Sequence, residues 1–357
     1  MRRLPIFFLI DVSESMIGDP INEVGNGIKA MIQSLRQNPY ALETAYISII
    51  VFAGRAKTLV PLTDVISFYP PQFPVGGGTS LGEGIRHLIN EIETKLTKND
   101  GVQKGDWKPV IFLFTDGSPT DNPDSAIREW EQKYKERVNL IAISVGNNVD
   151  LALLKRLTDK VLLFNDTQPE SYKQFFEWVT ASISTQSQKI DTTNSDDYQL
   201  DRLDDSIIHK IDFEKQQIAK LDDNFVVLYA RCQKTGAPYL VKYRRNQEQD
   251  EWAEIITEGR TAFNSGRYGL TGAFPIPSPE DYDQLSEQTS SEFTVDTSEL
   301  EGWPSCPCCG NPYALAHCGC GGILCLSGPG DNYCPHCRNT SSFEFTDENY
   351  GIRRGLG

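Results

Sequence analysis

The chain has 357 residues, enough for two or three domains of which the first can bury a full core. Its 49 acidic and 34 basic residues leave a formal net charge of −15. That balance argues against broad binding to nucleic acid or to an anionic membrane, because phosphate contacts need clustered Lys and Arg. No apolar run approaches the ~18 residues that span a bilayer. Eight of the nine cysteines lie beyond residue 305, in CxC and CxxC spacings that suit metal better than disulfides, and so point to a reducing cytoplasm.

Met1-Arg-Arg followed by Leu4-Pro-Ile-Phe-Phe-Leu-Ile10 has the outline of a signal peptide. The run stops at Asp11 with no small-residue cleavage site, so it is read as a first strand. From there to about residue 187 strand and helix patterns alternate. Apolar strands are predicted at 4–10, 45–53, 110–115, 138–145 and 161–164. Helices are predicted from Ile21, Val24, Ile28, Met31 and Leu35, then from Leu81, Ile85, Leu88, Ile92 and Leu96. Three more follow, marked by Trp130 and Tyr134, by Leu151, Leu154 and Leu157, and by Tyr172, Phe175, Phe176 and Val179. Strands apolar throughout and separated by helices predict an α/β domain over 1–187, a doubly wound, mostly parallel sheet covered on both faces. Ligands bind such sheets outside the carboxyl ends of the strands.

Asp11-Val-Ser13-Glu-Ser15 stands at one of those ends. One carboxylate and two spaced hydroxyls suit a hard cation that takes oxygen ligands, such as Mg²⁺. The plainer reading is that Asp11 or Ser13 caps the next helix. Two further stretches favour the metal. Gly76-Gly-Gly-Thr79-Ser-Leu-Gly82 opens into the second helix and offers a hydroxyl where backbone can approach an ion closely. Thr115-Asp116-Gly117 ends an apolar strand, so Asp116 also emerges at a carboxyl end. Trp107 and Lys108, before that strand, are weaker candidates for the border of the same rim.

Residues 188–206 are acidic and polar and read as a solvated linker. A β-rich segment with a second linker is predicted over 207–302. Its strands fall at 225–232, 238–243 and 252–257, the first two joined as a hairpin through Lys234-Thr-Gly-Ala, and the linker at about 277–302. A Cys-rich domain over 303–345 and a tail over 346–357 close the chain. In the Cys-rich part Cys306-Pro-Cys-Cys309 and Cys334-Pro-His-Cys337 are two knuckle-like pairs of thiolates, a zinc-ribbon-like pattern. Two arrangements are open. One zinc is held by Cys306, Cys309, Cys334 and Cys337, or two are held with Cys318, Cys320 and Cys325 recruited and Cys308 as an eighth candidate. His317 and His336 are possible partners of a second site, although a His beside Cys is commonly just solvated. Cys232 reads as a half-buried strand residue. Zinc is expected to supply most of the folding energy of so short a tail.

Asp11-x-Ser13-x-Ser15, Thr79 and Thr-Asp116-Gly together resemble the metal-ion-dependent adhesion site of a von Willebrand factor A domain. The resemblance implies that Ser13, Ser15 and Thr79 touch Mg²⁺ (or Mn²⁺ or Ca²⁺) directly, that Asp11 and Asp116 act through bound water, and that a partner's Asp or Glu takes the open position. Residues 4–20, Lys104-Gly-Asp-Trp-Lys-Pro109, Thr115–Asp121 and the cysteine tail resemble the TerY family of tellurite-resistance-associated proteins. That likeness implies action beside a protein kinase and a metal-dependent protein phosphatase. The expected function is thus a metal-dependent interaction protein and not an enzyme, with no nucleic acid or membrane as partner. The alternatives are a Mg²⁺-dependent phosphohydrolase, for which no suitably placed Lys or His is evident, a zinc-ribbon nucleic-acid binder, which the sparse basic residues disfavour, and capture of a tellurium oxyanion by the cysteines.

Overall fold

The computed structural model describes residues 2–100, 104–116, 118–145, 150–164, 169–189, 225–246, 267–287, 293–345 and 349–355. The strand expected at 252–257 and all of the acidic linker but its first two residues fall outside these; Gln188 and Lys189 belong to a helix that ends at Lys189. The chain divides into two compact units, Met1–Lys220 and Leu221–Gly357.

The first unit is built on a six-stranded sheet in the order β3-β2-β1-β4-β5-β6. Its strands are β1 (Leu4–Asp11), β2 (Ala45–Phe52), β3 (Ala56–Asp64), β4 (Val110–Thr115), β5 (Asn139–Val145) and β6 (Val161–Phe164). All pairings are parallel except that of edge strand β3 with β2. β3 escapes a reading of the sequence because its pattern is weak and Pro61 sits inside it, which an edge strand tolerates and a central one does not. β1 is buried along its whole length, and its alternate side chains serve opposite faces. Phe7 and Leu9 pack in one cluster with α3 (Leu81–Lys95), α4 (Asp124–Lys133) and α5 (Leu151–Leu157). Phe8 stacks on Phe112 at 5.3 Å, and Phe112 and Phe114 meet Phe175 and Phe176 of α6 (Pro169–Lys189) at about 6 Å between ring centroids.

α1 (Asp19–Leu35) shares that second face with α6, and short α2 (Pro39–Thr44) starts where the Asn38 side chain accepts the N–H groups of Tyr40 and Ala41. The two long helices approach closely where Gly27 lies against the Phe176 ring.

In the second unit the expected hairpin forms from β7 (Phe225–Arg231) and β8 (Pro238–Arg245). It sits inside a larger sheet, β11-β9-β8-β7-β13-β12, with β9 (Tyr268–Pro275), β11 (Leu300–Glu301), β12 (Tyr313–His317) and β13 (Ile323–Leu326). β13 pairs in parallel with β7, Ile323 beside Ala230 and Leu324 beside Arg231. The cysteine-rich segment is therefore not a separate knob held by zinc alone. It shares a core with the hairpin, in which Val226, Leu228, Tyr239, Val241 and Tyr243 pack with Leu315, Ile323 and Cys325. The buried Tyr239 hydroxyl donates to the Ala314 carbonyl at 2.5 Å and ties the two parts together.

The stretch expected to be a linker at 277–302 is also structured. It holds α7 (Pro279–Leu285), capped by the Ser278 hydroxyl, then β10 (Thr294–Asp296), a 3₁₀ turn and β11. Its polar composition misleads because β10 and β11 are short edge strands that bury only Val295 and Leu300. Two further hairpin strands, β14 (Gly330–Tyr333) and β15 (Thr340–Phe343), and β16 (Gly351–Arg353), paired with β10, complete the unit.

The Gly27 contact is directly testable. A Cβ at this position would come within 1.9 Å of the Phe176 ring, and that ring has little room to move because it is fixed between Phe114 and Phe175. Gly27→Ala gains about 1 kcal/mol in helix propensity, which overpacking of about 1–3 kcal/mol or more at so short a distance outweighs. The expected outcome in a thermal melt is a drop of a few degrees in the Tm of the first unit; a raised Tm would mean that α6 is seated elsewhere.

Candidate metal centres

The strand order places β1 and β4 side by side although β2 and β3 separate them in sequence, so the chain reverses its direction of winding between them. Open α/β sheets bind ligands at that crevice. The register sets Ile10 beside Phe114, which brings Asp11 level with Thr115 and leaves Asp116 one residue beyond. The Thr115 hydroxyl donates to Asp11 Oδ2 at 2.7 Å, and the Ser13 N–H donates to Asp11 Oδ1 at 2.9 Å. Ser13 Oγ and Ser15 Oγ lie 3.0 Å apart, and the Ser15 hydroxyl donates to Asp116 Oδ1 at 2.9 Å.

The glycine run is stapled alongside. Gly76 N–H donates to the Val12 carbonyl, Gly54 N–H to Gly77 and Ser80 N–H to Ala53. Thr79 is clasped by the loop after β4, with its N–H donating to Thr120 Oγ1 at 3.0 Å and its carbonyl accepting Thr120 N–H at 2.9 Å.

All five residues singled out from the sequence, Asp11, Ser13, Ser15, Thr79 and Asp116, thus meet on one rim, each at most 4% exposed. None of them is spent on a helix cap. The 3₁₀ turn after Ser13, α1 and α3 all begin without a side-chain cap bond. The Thr79 hydroxyl makes no hydrogen bond among the described residues. Two buried carboxylates with three hydroxyls around them form an all-oxygen donor set that fits a hard dication. Burial pushes the Asp11 carboxyl up to about 6, against the opposing hydrogen bonds from Ser13 and Thr115, so a positive charge placed there would relieve a real penalty. Trp107 and Lys108 do not border this rim. They precede β4 and so lie at the opposite end of the sheet, where the Arg2 guanidinium covers the Trp107 ring at 3.9 Å.

The thiols of the second unit gather in two quartets, Cys232 with Cys306, Cys309 and Cys325, and Cys318 with Cys320, Cys334 and Cys337; within each the sulfurs lie within 4.8 Å of one another. The Cys309 and Cys325 sulfurs are 3.7 Å apart, and those of Cys325–Cys232, Cys318–Cys337 and Cys320–Cys334 are each 3.9 Å apart. A tetrahedral ion with Zn–S bonds of about 2.3 Å sets its sulfurs about 3.8 Å apart, whereas a disulfide needs about 2.05 Å. Both quartets therefore fit zinc.

A single site made of Cys306, Cys309, Cys334 and Cys337 is not what the fold assembles. These pairs belong to different quartets because β12 and β13 carry the chain from one to the other. Cys318, Cys320 and Cys325 are all recruited, and the eighth thiol is Cys232, not the half-exposed Cys308. Cys232 is fully buried and ligand-like, which corrects its reading as a half-buried strand residue. His317 and His336 stay outside both quartets: His317 stacks on Tyr350, and the His336 ring bonds the Ile323 carbonyl at 2.8 Å.

A signal for Cys232 does exist in the sequence. In Cys306–Asn311 the first Cys N–H bonds the sixth residue's carbonyl, and the fifth N–H bonds the first carbonyl. The turns Cys334–Asn339 and Cys232–Ala237 repeat both bonds, at 2.8–2.9 Å. The fifth residue has positive φ in all three, at Gly310 (75°), Arg338 (61°) and Gly236 (71°). Cys232-Gln-Lys-Thr235-Gly236 is thus a knuckle with Thr235 where its second Cys would stand, and Cys325 of β13 supplies the missing thiol. Burial pushes the Cys325 thiol up and Cys334 up to about 12. Burial acts likewise on Cys232, but hydrogen bonds from the Thr235 hydroxyl and neighbouring backbone N–H groups bring it down to about 7. A dication would displace protons from these clusters.

This is an A-type domain joined to a cysteine-rich metal-binding unit, and comparison with known proteins agrees. Residues 6–178 match the von Willebrand factor type A domain, and residues 222–357 match the TerY-C metal binding domain. An A-type domain followed by a TerY-C metal binding domain is the arrangement that the resemblance to the TerY family implies. Among curated relatives, inter-alpha-trypsin inhibitor heavy chain H2 of Mus musculus is 25% identical over 166 residues, covering 43% of this chain and 17% of that protein. Heavy chain H6 of Homo sapiens is 22% identical over 162 residues, 43% of this chain and 12% of that one. The match thus spans less than a fifth of these relatives. Among solved structures, the ArnB paralog VWA2 from Sulfolobus acidocaldarius is similar at 19% identity and TM-score 0.36, covering 51% of this chain and 45% of that one. Proximal thread matrix protein 1 from the mussel byssus is similar at 18% and 0.38, covering 51% and 48%.

Two outcomes are expected. Elemental analysis of the purified chain should give two zinc ions, falling to one in Cys232→Ser and in Cys337→Ser and staying at two in Cys308→Ser. For the oxygen site the ionised Asp11 is the disfavoured form without metal, so lowering the pH from 7.5 through 6 protonates it and removes a destabilising term from the metal-free domain. The same protonation competes with the cation, and Mg²⁺ affinity should fall about tenfold per pH unit below 6. Titration calorimetry at several pH values checks both signs, and Asp11→Asn should abolish the Mg²⁺ signal.

Proposed function

We propose that this chain is a metal-dependent protein–protein interaction module of a bacterial tellurite-resistance or stress-response system. In this reading its first unit docks a partner's Asp or Glu, and its partners are a protein kinase and a metal-dependent protein phosphatase of the same system. The reading makes it a cytoplasmic binding protein and not an enzyme.

The observation that carries the reading is the convergence of Asp11, Ser13, Ser15, Thr79 and Asp116 from three distant segments, with the Thr79 hydroxyl unused. Ser13, Ser15 and Thr79 would hold Mg²⁺ as neutral ligands, with Asp11 and Asp116 behind them. Bound there, the ion supplies a Lewis-acidic position that favours an anionic ligand. The protein's own part is orientation. Thr115 and the Ser13 N–H fix the Asp11 carboxylate, Ser15 fixes Asp116, and Thr120 fixes the Thr79 loop. The Cys₄ quartets would hold zinc as closed sites that shape a second contact surface.

The test is capture of kinase or phosphatase by the zinc-loaded chain in buffers with and without Mg²⁺. Capture should need Mg²⁺ and drop at least tenfold with Asp11→Ala, while zinc content stays at two. Equal capture by wild type and variant, with and without Mg²⁺, would overturn the docking role.

A further inference from the structure

The second unit carries an aromatic groove that neither metal centre uses. It has a volume of about 660 Å³, inside the range of ligand-binding clefts. Its floor is made by Leu315 of β12 and Leu326 of β13. Trp303, Tyr313 and Phe345 line it while remaining 61%, 40% and 67% exposed. Three large apolar side chains left in water on one feature mark an interaction site more than scattered exposure would.

The rings are ordered against each other, Tyr313 on Phe345 at 5.0 Å and His317 on Tyr350 at 5.2 Å. The Trp303 indole N–H and the Tyr313 hydroxyl make no hydrogen bond among the described residues. Among the described residues Glu344 is the one Asp, Glu, Lys or Arg in the lining.

We propose that this groove binds an extended, proline-containing peptide that carries a Lys or Arg, and that it forms only when both thiol quartets are metal-loaded. Pyrrolidine rings pack flat on aromatic faces. A polyproline II backbone has no internal hydrogen bonds, so its carbonyls need outside donors such as Trp303 and Tyr313. An amphipathic helix would leave those donors facing apolar side chains. A single-stranded nucleic acid would stack on the same rings, but it would bring phosphates to Glu344 on a chain of net charge −15. A cationic side chain on the peptide is complementary to both.

The metal dependence follows from how the walls are hung. β12 runs from the Cys306–Cys309 knuckle to Cys318, so one wall is fixed by both quartets. Phe343-Glu344-Phe345 follows the Cys334–Cys337 knuckle, so the other is fixed by the second quartet. Neither wall depends on the oxygen site of the first unit, and this groove stands or falls apart from the docking role proposed above.

The experiment is a fluorescence-anisotropy titration of the full, zinc-loaded chain. The probe is an acetylated ten-residue peptide of alternating Pro-Leu-Pro segments with two terminal Arg residues. The control is the same peptide with Ala for each Pro. The proline peptide should bind at least about tenfold tighter than the control, since it is already extended when free. Trp303→Ala should weaken it about thirtyfold with zinc content unchanged. Glu344→Lys should weaken it up to about fivefold while leaving a Gln-for-Arg peptide unaffected. Asp11→Ala should change nothing, and Cys337→Ser should abolish binding. Equal affinity for both peptides, an unaltered Trp303→Ala variant, or displacement of the probe by oligothymidine would each overturn the proposal.

Discussion

The first unit is built around a carboxylate removed from water. Asp11 ends a strand that is buried on both faces, and its oxygens are met by the Thr115 hydroxyl and the Ser13 N–H. Burying an ionised carboxylate is unfavourable by far more than two hydrogen bonds return. A fold that keeps one there sets aside part of its stability for whatever positive charge the site accepts. Parallel pairing of β1 with β4 enforces the arrangement, because register fixes where each strand lets its chain out. The packed Phe8–Phe112–Phe114 face beneath keeps that register from slipping, since a shift of one residue would turn these rings to the wrong side.

The second unit solves a different problem. Outside β7, β8 and β9 its strands are two to five residues long, and several bury only one or two side chains, so hydrophobic area alone holds these parts weakly. Interleaved thiols supply the missing constraint. The first quartet takes Cys232 from the hairpin turn, Cys306 and Cys309 from a knuckle and Cys325 from β13. The second takes Cys318 and Cys320 from before Cys325, and Cys334 and Cys337 from after it. Because the ligand sets overlap along the chain, neither can form fully without ordering segments that belong to the other. Metal bound here would supply folding energy, each ion ordering part of the chain that also carries the other quartet. The same interleaving gives the aromatic groove its two walls.

The chain thus keeps hard and soft metal chemistry apart. Oxygen donors in the first unit include neutral hydroxyls, which suits an ion that exchanges ligands and retains an open position. The second has four sulfurs in each cluster, enough to complete a tetrahedron, which suits a structural ion with nothing left to bind. Hydrogen bonds to sulfur reinforce the closed character, with the Gln233 N–H and the Asn311 amide both directed at Cys325.

Much of this is written locally in the sequence. Period-two and helical apolar patterns determined the α/β alternation, because each element's burial follows from its own residues. Asp11, Ser13, Ser15, Thr79 and Asp116 were legible because each stands at a junction whose place in a parallel sheet is fixed by topology. The partition of the cysteines was not legible, since knuckle spacing says which thiols form pairs but not which pairs meet. That was decided by the parallel pairing of β13 with β7, which brings Cys325 to Cys232 across 93 residues. The same long-range pairing turned an apparent zinc knob into part of a six-stranded sheet, and edge strands β3, β10 and β11 stayed hidden because half-exposed strands need little apolar signal to pair.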